Sequence, residues 1–447
     1  MQDDMTRRDF VRASVGAGGV AIAAPLLGAS LLSPRTLQAA SWVRGQDQIR
    51  VGIVGVGGRG SGAAVQALTA DPGCVLTALG DVFPDRAEAG LKGLREELGE
   101  KAAEKIKVTP ETTFTGFDAY KKVIDSGIDV VLLTTYPAFR PEHIKYAINA
   151  GKHVFAEKPL ATDAPGLRSV LESAALARQK NLGLLVGFCW RYNTGMRAAF
   201  EKIKAGMIGD IVSAHTDYHT GTLTKHPRQP AWSDLEFQMR NWWHFTWLSG
   251  DHVVEQAIHS IDRLSWAMGD EMPVKCDCLG GRAARTGPES GNAFDHFGAI
   301  YEYKDGRRCF HSCRQIDGCP SDNTDYIRGT AGSAVVEGWK PIYELKDHAG
   351  NLRWKGDGKS SDAEAMYQIE HNEFFASIRA GKPINDAARG ANSTMMAMMA
   401  RMAAYTGQTI TWDKAMASKE ALMPENLAFG GPFPTPALAL PGKTKFI

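Results

Sequence analysis

Three glycines, Gly55, Gly57 and Gly60, stand where a β-branched run from Ile49 to Val54 gives way to a helix-compatible one. That G-x-G-x-x-G spacing suits a diphosphate. Gly55 turns the chain off the strand and Gly57 lets the backbone approach a pyrophosphate. Gly60 lets the next helix pack close, with its N-terminal amides aimed at the phosphates. Gly58 and Arg59 fall in the same turn and share the expected contact. A second strand, Cys74 to Gly80, ends in Asp81, at the separation where a carboxylate accepts from a ribose 2′-hydroxyl. The same carboxylate repels a 2′-phosphate, and Val82 and Phe83 offer nothing to hold one, so the reading is NAD rather than NADP. A turn that binds nothing is the alternative, since chance glycine patterns occur among 47 glycines. The flanking strand, helix and acid weigh against it.

Two further groups could do proton chemistry. The apolar strand Asp129 to Tyr136 ends in Thr134, Thr135 and Tyr136, and ligands of open α/β sheets lie at such carboxyl ends. These residues are expected along the nicotinamide half of a crevice. The next strand, His153 to Ala156, runs into Glu157-Lys158-Pro159. An ammonium at that strand end can hydrogen-bond a substrate hydroxyl or polarise a carbonyl, with Glu157 beside it on the cofactor. Farther on, Glu255 and His259 are four residues apart within an apolar helical stripe of Val254, Ile258, Ile261 and Leu264. A carboxylate one turn from an imidazole can fix its tautomer and raise its basicity. His259 would then take a hydroxyl proton as hydride leaves the same carbon. No third ligand follows at metal-binding spacing, so no metal is expected.

The elements that must position these groups alternate strand and helix from Ile49, the pattern of a doubly wound parallel sheet. A chain of 447 residues exceeds one compact core, so two domains are expected: 48–180 for the nucleotide and 181–422 for the substrate. Between Thr220 and Gly250 lies a long irregular stretch with His226, Arg228, Trp232, Arg240, Trp242, Trp243, His244 and Trp247. Flat aromatic faces beside cationic donors suit a pyranose, with its apolar faces and polar rim; Trp243 and His244 are the expected contacts. The Met-rich run Ala391 to Thr406 reads as core. The Pro/Gly tail 423–447 is expected to wrap a neighbour or stay loose.

Charge is balanced, 51 basic against 50 acidic residues, which gives no sign of a nucleic-acid partner. Seven cysteines form no disulfide framework and read as free thiols. Thr6-Arg7-Arg8-Asp9-Phe10 followed by an uncharged Gly/Ala-rich run reads as a twin-arginine export signal over residues 1–40. No stable membrane span is expected after its removal. A periplasmic protein has no NAD pool, so the cofactor is expected to travel tightly bound.

The glycine fingerprint, Asp81, Glu157-Lys158-Pro159 and Glu255-Gln-Ala-Ile-His259-Ser-Ile-Asp262 resemble, in order, the glucose-fructose oxidoreductase / inositol dehydrogenase / MocA family. The resemblance implies an α/β chain with an N-terminal Rossmann domain and a C-terminal α+β domain. The latter carries a large, open, mostly antiparallel sheet that commonly joins subunits into a homo-oligomer. It implies action on sugars or cyclitols, and a catalytic trio of Lys158, His259 and Glu255; members usually carry Asp where Glu255 stands. Arg191 and Tyr192 resemble the pair such proteins place under the substrate, with Asp262 in the same site. The expected reaction is hydride transfer at a ring carbon, C3 first, of a sugar or glycoside. A redox-neutral glycosidase using an extra base from Tyr192, His219 or His244, and a non-catalytic sugar-binding protein, are the alternatives.

Overall fold

The computed structural model describes residues 48–358 and 363–447. The twin-arginine segment and its expected boundary at residue 40 lie outside them. Six parallel strands, β1 (Ile49–Val54), β2 (Cys74–Asp81), β3 (Thr113–Thr115), β4 (Val130–Leu133), β5 (His153–Glu157) and β6 (Leu184–Gly187), form one sheet in the order β3-β2-β1-β4-β5-β6. Strands β4, β5 and β6 are buried along their whole length, as strands covered on both faces must be. The helix Gly58–Ala70 buries Gly60, Ala63, Ala64, Ala67 and Leu68, a small-residue stripe that brings it close to the sheet. Winding reverses between the adjacent strands β1 and β4, which opens a crevice at their carboxyl ends.

The second sheet holds nine strands: β7 (Ile211–Thr220), β8 (Lys275–Gly281), β9 (His296–Glu302), β10 (Arg308–Gln315), β11 (Thr324–Gly329), β12 (Gly332–Glu337), β13 (Tyr343–Asp347), β14 (Leu352–Lys355) and β15 (Ile410–Thr411). Their order is β14-β13-β12-β11-β7-β10-β9-β8-β15. Only β7 and β10 pair in parallel; the other neighbours are antiparallel. Inward residues such as Ala214, Cys309, Cys313 and Ile327 are buried beneath the helices Ile258–Ala267 and Ala387–Thr406. The latter buries Met395, Met396, Met398 and Met399 completely, in line with the core reading of the Met-rich run. On the opposite face Ile300, Phe310 and Tyr326 are about two-fifths exposed, and Leu279 is 84 % exposed.

Two expectations need correction. The Thr220–Gly250 stretch contains the helix Asp234–Arg240 and short turns at Trp242–His244 and Thr246–Ser249. The tail does not hang loose: it folds back on its own chain. Phe429 stacks on Phe117 at 5.1 Å and lies 5.7 Å from Phe83, and Gln238 donates to the Phe433 carbonyl at 2.8 Å. An aromatic side chain has more to gain from such a neighbour than from water. Among the described residues no helix is long and apolar enough to cross a membrane.

Candidate active site

One cavity of about 730 Å³ runs from the glycine turn to the second domain. Its first half is lined by Gly55, Gly57, Gly58, Arg59, Gly60, Asp81, Thr134 and Tyr136, all expected there. Gly55 has φ +92°, the left-handed region that only glycine adopts without cost. A Cβ on Gly60 would run into the Gly55 carbonyl oxygen and come within 2.8 Å of Thr134 Oγ1, so the close helix–strand approach requires glycine. A Cβ on Gly57 or Gly58 would meet nothing within 4 Å: it would project into open space in front of the helix N-terminus. That is the cradle a pyrophosphate needs, and the residues present fit NAD.

Asp81 ends β2 with its carboxylate already oriented. Oδ2 accepts from the Val56 amide at 2.9 Å and Oδ1 from the Phe83 amide at 3.0 Å. Burial raises its pKa, while those two amides pull it back toward the charged form. Two arginines that sequence reading did not connect with Asp81 line the same end. Arg86 sits in the first turns of the following helix, and Arg240 arrives from the second domain. Arg240 is spoken for by Glu236 at 2.8 Å and Asp85 at 3.1 Å, with its guanidinium 4.3 Å from the Phe83 ring centre. Arg59 donates to Glu157 at 2.6 Å and lies over the Tyr367 ring at 4.3 Å. Tyr367 comes from about three hundred residues downstream of Arg59, and no local signal could have joined them.

The other half of the cavity brings together Lys158, Glu255 and His259, with Trp190, Tyr218, Gln256, His226, Trp242 and Trp243. Lys158 Nζ donates to Glu255 Oε1 at 2.9 Å and to the Glu255 carbonyl at 2.6 Å. Glu255 Oε2 is buried without a hydrogen-bond partner among the described residues. The expected Glu255–His259 pairing is not found. The helix His252–Glu255 ends before a new one starts at Ile258, so the two residues do not share one helical face. Glu255 therefore orients Lys158 rather than His259. The imidazole nitrogens of His259 have no hydrogen-bond partner among the described residues; its ring meets Trp190 edge-on at 4.3 Å. Burial, then the charges of Lys158 and Arg263, hold its pKa well below the usual histidine range. A neutral, unpaired imidazole can accept a proton, but burial and these two cations lower its basicity, the reverse of what the expected Glu255 pairing would have done.

Four expected substrate contacts lie elsewhere. Arg191 and Asp262 form a buried ion pair at 2.8 Å, and Asp262 also accepts from Ser393 at 2.7 Å. These two charges belong to a network with Asp270 and Arg389 and do not line the cavity. Tyr192 packs into the core of the parallel sheet, with the Arg197 guanidinium 4.7 Å over its ring. His244 bonds the Thr224 carbonyl at 3.2 Å and Arg285 at 3.1 Å, and burial pushes its pKa down to about 3. Only Trp243 of the five expected contacts faces the cavity.

A parallel sheet with a glycine cradle and an acid-ended second strand defines a dinucleotide-binding α/β protein, here joined to a second domain that closes the crevice. Residues 49–188 match the GFO_IDH_MocA oxidoreductase family, NAD-binding Rossmann fold, and residues 201–412 match its C-terminal alpha/beta domain. The chain belongs to that family. It is 30% identical to inositol 2-dehydrogenase 3 of Saccharopolyspora erythraea over 224 residues, 50% of this chain and 55% of that protein. A glycosyl hydrolase family 109 protein of Streptomyces coelicolor is 28% identical over 38% of this chain and 34% of its own. The chain spans about half the length, or less, of these curated relatives. A levoglucosan dehydrogenase solved in complex with NADH has the same fold, with TM-score 0.65 and 18% identity over 81% of this chain and 99% of that one.

Proposed function

We propose that this protein is an NAD-dependent oxidoreductase acting at a ring carbon, C3 first, of a sugar or glycoside. The observation that carries the reading is the Lys158–Glu255 pair facing neutral His259 within the cavity that the glycine turn lines. Gly55 to Gly60, Asp81, Thr134, Tyr136 and Glu157 would hold NAD, which when bound supplies the hydride acceptor or donor. His259 takes the proton from the reacting hydroxyl. Lys158 hydrogen-bonds the same oxygen and stabilises the charge that develops on it. Glu255 keeps Lys158 aimed. Trp190, Trp242 and Trp243 offer flat faces to the ring.

We propose further that the cofactor is retained between turnovers. Trp242 packs on Tyr136 at 5.3 Å, Arg240 is tied to Asp85, and the tail's Phe429 lies on Phe83 and Phe117. Together these cover the Asp81 end of the crevice. Retention suits a protein exported folded through the twin-arginine route. The apolar outer face of the nine-stranded sheet suits a second copy of the chain as its partner, and Phe310→Asp should then yield monomers on gel filtration. The redox-neutral glycosidase is the weaker reading, since Tyr192 and His244 lie off the cavity and His219 is bonded to Ser312 at 2.7 Å. Tyr218 and His226 remain as extra proton-transfer groups there.

The deciding experiment denatures the exported protein, purified without nucleotide, and quantifies released NAD(H). It then screens sugars and glycosides for keto products and free reducing sugar in parallel. Stoichiometric NAD with a keto product supports the reading. Free sugar without a keto product selects the glycosidase, and no bound or bindable nucleotide defeats both.

A further inference from the structure

The parallel ladder between β4 and β5 ends at the pair Leu133 and Ala156. Beyond that rung the two strand ends carry Thr134 to Tyr136 on one side and Glu157 to Pro159 on the other. These are the segments that frame the reaction centre, yet among the described residues no backbone hydrogen bond joins them. One side chain does. Arg140 donates from Nη1 to the Pro159 carbonyl at 2.6 Å and from Nη2 to the Thr135 carbonyl at 2.7 Å. We infer that Arg140 is a positioning residue: its planar fork clamps the diverging ends of β4 and β5 and so fixes where Lys158 stands against Glu255 and the nicotinamide end of the cavity. The inference rests on the role proposed for Lys158.

Arg140 is there at a cost. It is 3 % exposed, and burial pushes its pKa down to about 10 against the pull of Glu157 and Glu255. It is also the first residue of the helix Arg140–Asn149, whose N-terminus carries the positive end of the dipole. Its Nε has no hydrogen-bond partner among the described residues. A buried cation at the wrong end of a helix breaks two local rules at once, and such breaks collect at functional positions. The geometry shows what is gained in return. A guanidinium spans two carbonyls with a rigid fork, whereas an ammonium on a flexible stem is a point donor. Lys158 adjoins Pro159, so a slack strand end passes directly to the ammonium.

The test compares Arg140→Met and Arg140→Lys in the full-length protein. Lys158 is acetylated with acetic anhydride and followed by peptide mass spectrometry, with Lys105 as the internal reference. Lys105 is 8 % exposed and held by the Pro72 carbonyl at 2.5 Å, away from this site. Both variants should acetylate Lys158 at least about threefold faster, with Lys105 unchanged. Turnover should fall about a hundredfold, the scale of a 1 Å misplacement, while NADH affinity moves less than about threefold. Arg140→Lys should not rescue, because the charge is restored without the span. Unchanged Lys158 labelling and turnover in folded variants would overturn the inference. So would a parallel rise at Lys105, or rescue by lysine, either of which makes Arg140 an ordinary structural tie. If the methionine variant does not fold, Arg140→Lys decides. Lys158→Met with full activity would instead defeat the proposed function and leave the labelling result standing.

Discussion

Gly57→Ala separates the cofactor site from the fold. Gly57 has φ −70° and ψ −176°, a conformation open to any residue, and a Cβ there meets no heavy atom within 4 Å. Alanine at such a position narrows the unfolded ensemble and should stabilise the cofactor-free protein by about 0.4–1 kcal/mol. In a chain of this size that is a rise in Tm of about 0.5–1 °C. The same methyl stands where a pyrophosphate must approach the amides. Losing one hydrogen bond to a charged group costs about 1.5–3 kcal/mol, or roughly 10- to 150-fold in NADH affinity. Gly60→Ala makes the opposite case. Its Cβ would strike the backbone oxygen of Gly55, which cannot yield as a flexible side chain does, so Tm itself should drop by several degrees. Thermal unfolding of nucleotide-stripped protein and a fluorescence titration with NADH read the two effects separately. If Gly57→Ala bound NADH as tightly as the parent, the pyrophosphate would not lie at this turn. If it lowered Tm as Gly60→Ala does, the open space inferred in front of the helix would not exist.

Lys158→Met and His259→Asn should each lower turnover by about 10²- to 10⁴-fold, read by product formation under saturating NAD, with NADH affinity nearly unchanged. Arg240→Ala and Phe429→Ala should speed NADH release roughly tenfold in a stopped-flow displacement assay, since each removes a cation or aromatic contact covering the crevice. Equal release rates would end the retention argument while leaving the chemistry intact. Acid stability offers a further check. Burial pushes His143 and His244 down to about 3, below the unfolded value of about 6.5. Above that value neither state binds the proton; as pH falls below it only the unfolded chain does, so stability is lost between about 6.5 and 3. His143→Phe should flatten the fall of unfolding free energy in denaturant titrations by about 1.4 kcal/mol per pH unit, and an unchanged slope would contradict the buried neutral imidazole.

What the sequence made legible was local. The glycine spacing, the acid at the end of β2 and the lysine at the end of β5 each sit on a strand whose pattern announces its own carboxyl end. That is why Gly55, Gly57, Gly60, Asp81 and Lys158 appear together on one cavity. The same logic failed at residue 255. Four-residue spacing predicts a shared face only if the helix is continuous, and here it is interrupted between Glu255 and Ile258. It failed again at Arg191 and Asp262, because a charge in a motif can equally satisfy another charge. Their ion pair spans 71 positions, a distance at which spacing carries no information.

The missed residues share a cause. Arg140, Tyr367 and Arg240 reach the crevice from a helix start, a late helix and a long loop, and each is placed by tertiary contact rather than by periodicity. Arg140 alone left a trace, as a cation where the helix dipole opposes one. From a helix that stops short of His259, the Glu255 carboxylate meets Lys158 at 2.9 Å while the main-chain carbonyl of the same residue receives a second bond at 2.6 Å. Lys158 is thus held from the front by one residue of the second domain and from behind, through Pro159, by Arg140. A lysine fixed from both sides can be aimed with the precision hydride transfer demands, even though it stands just past the point where the sheet stops holding its strands together.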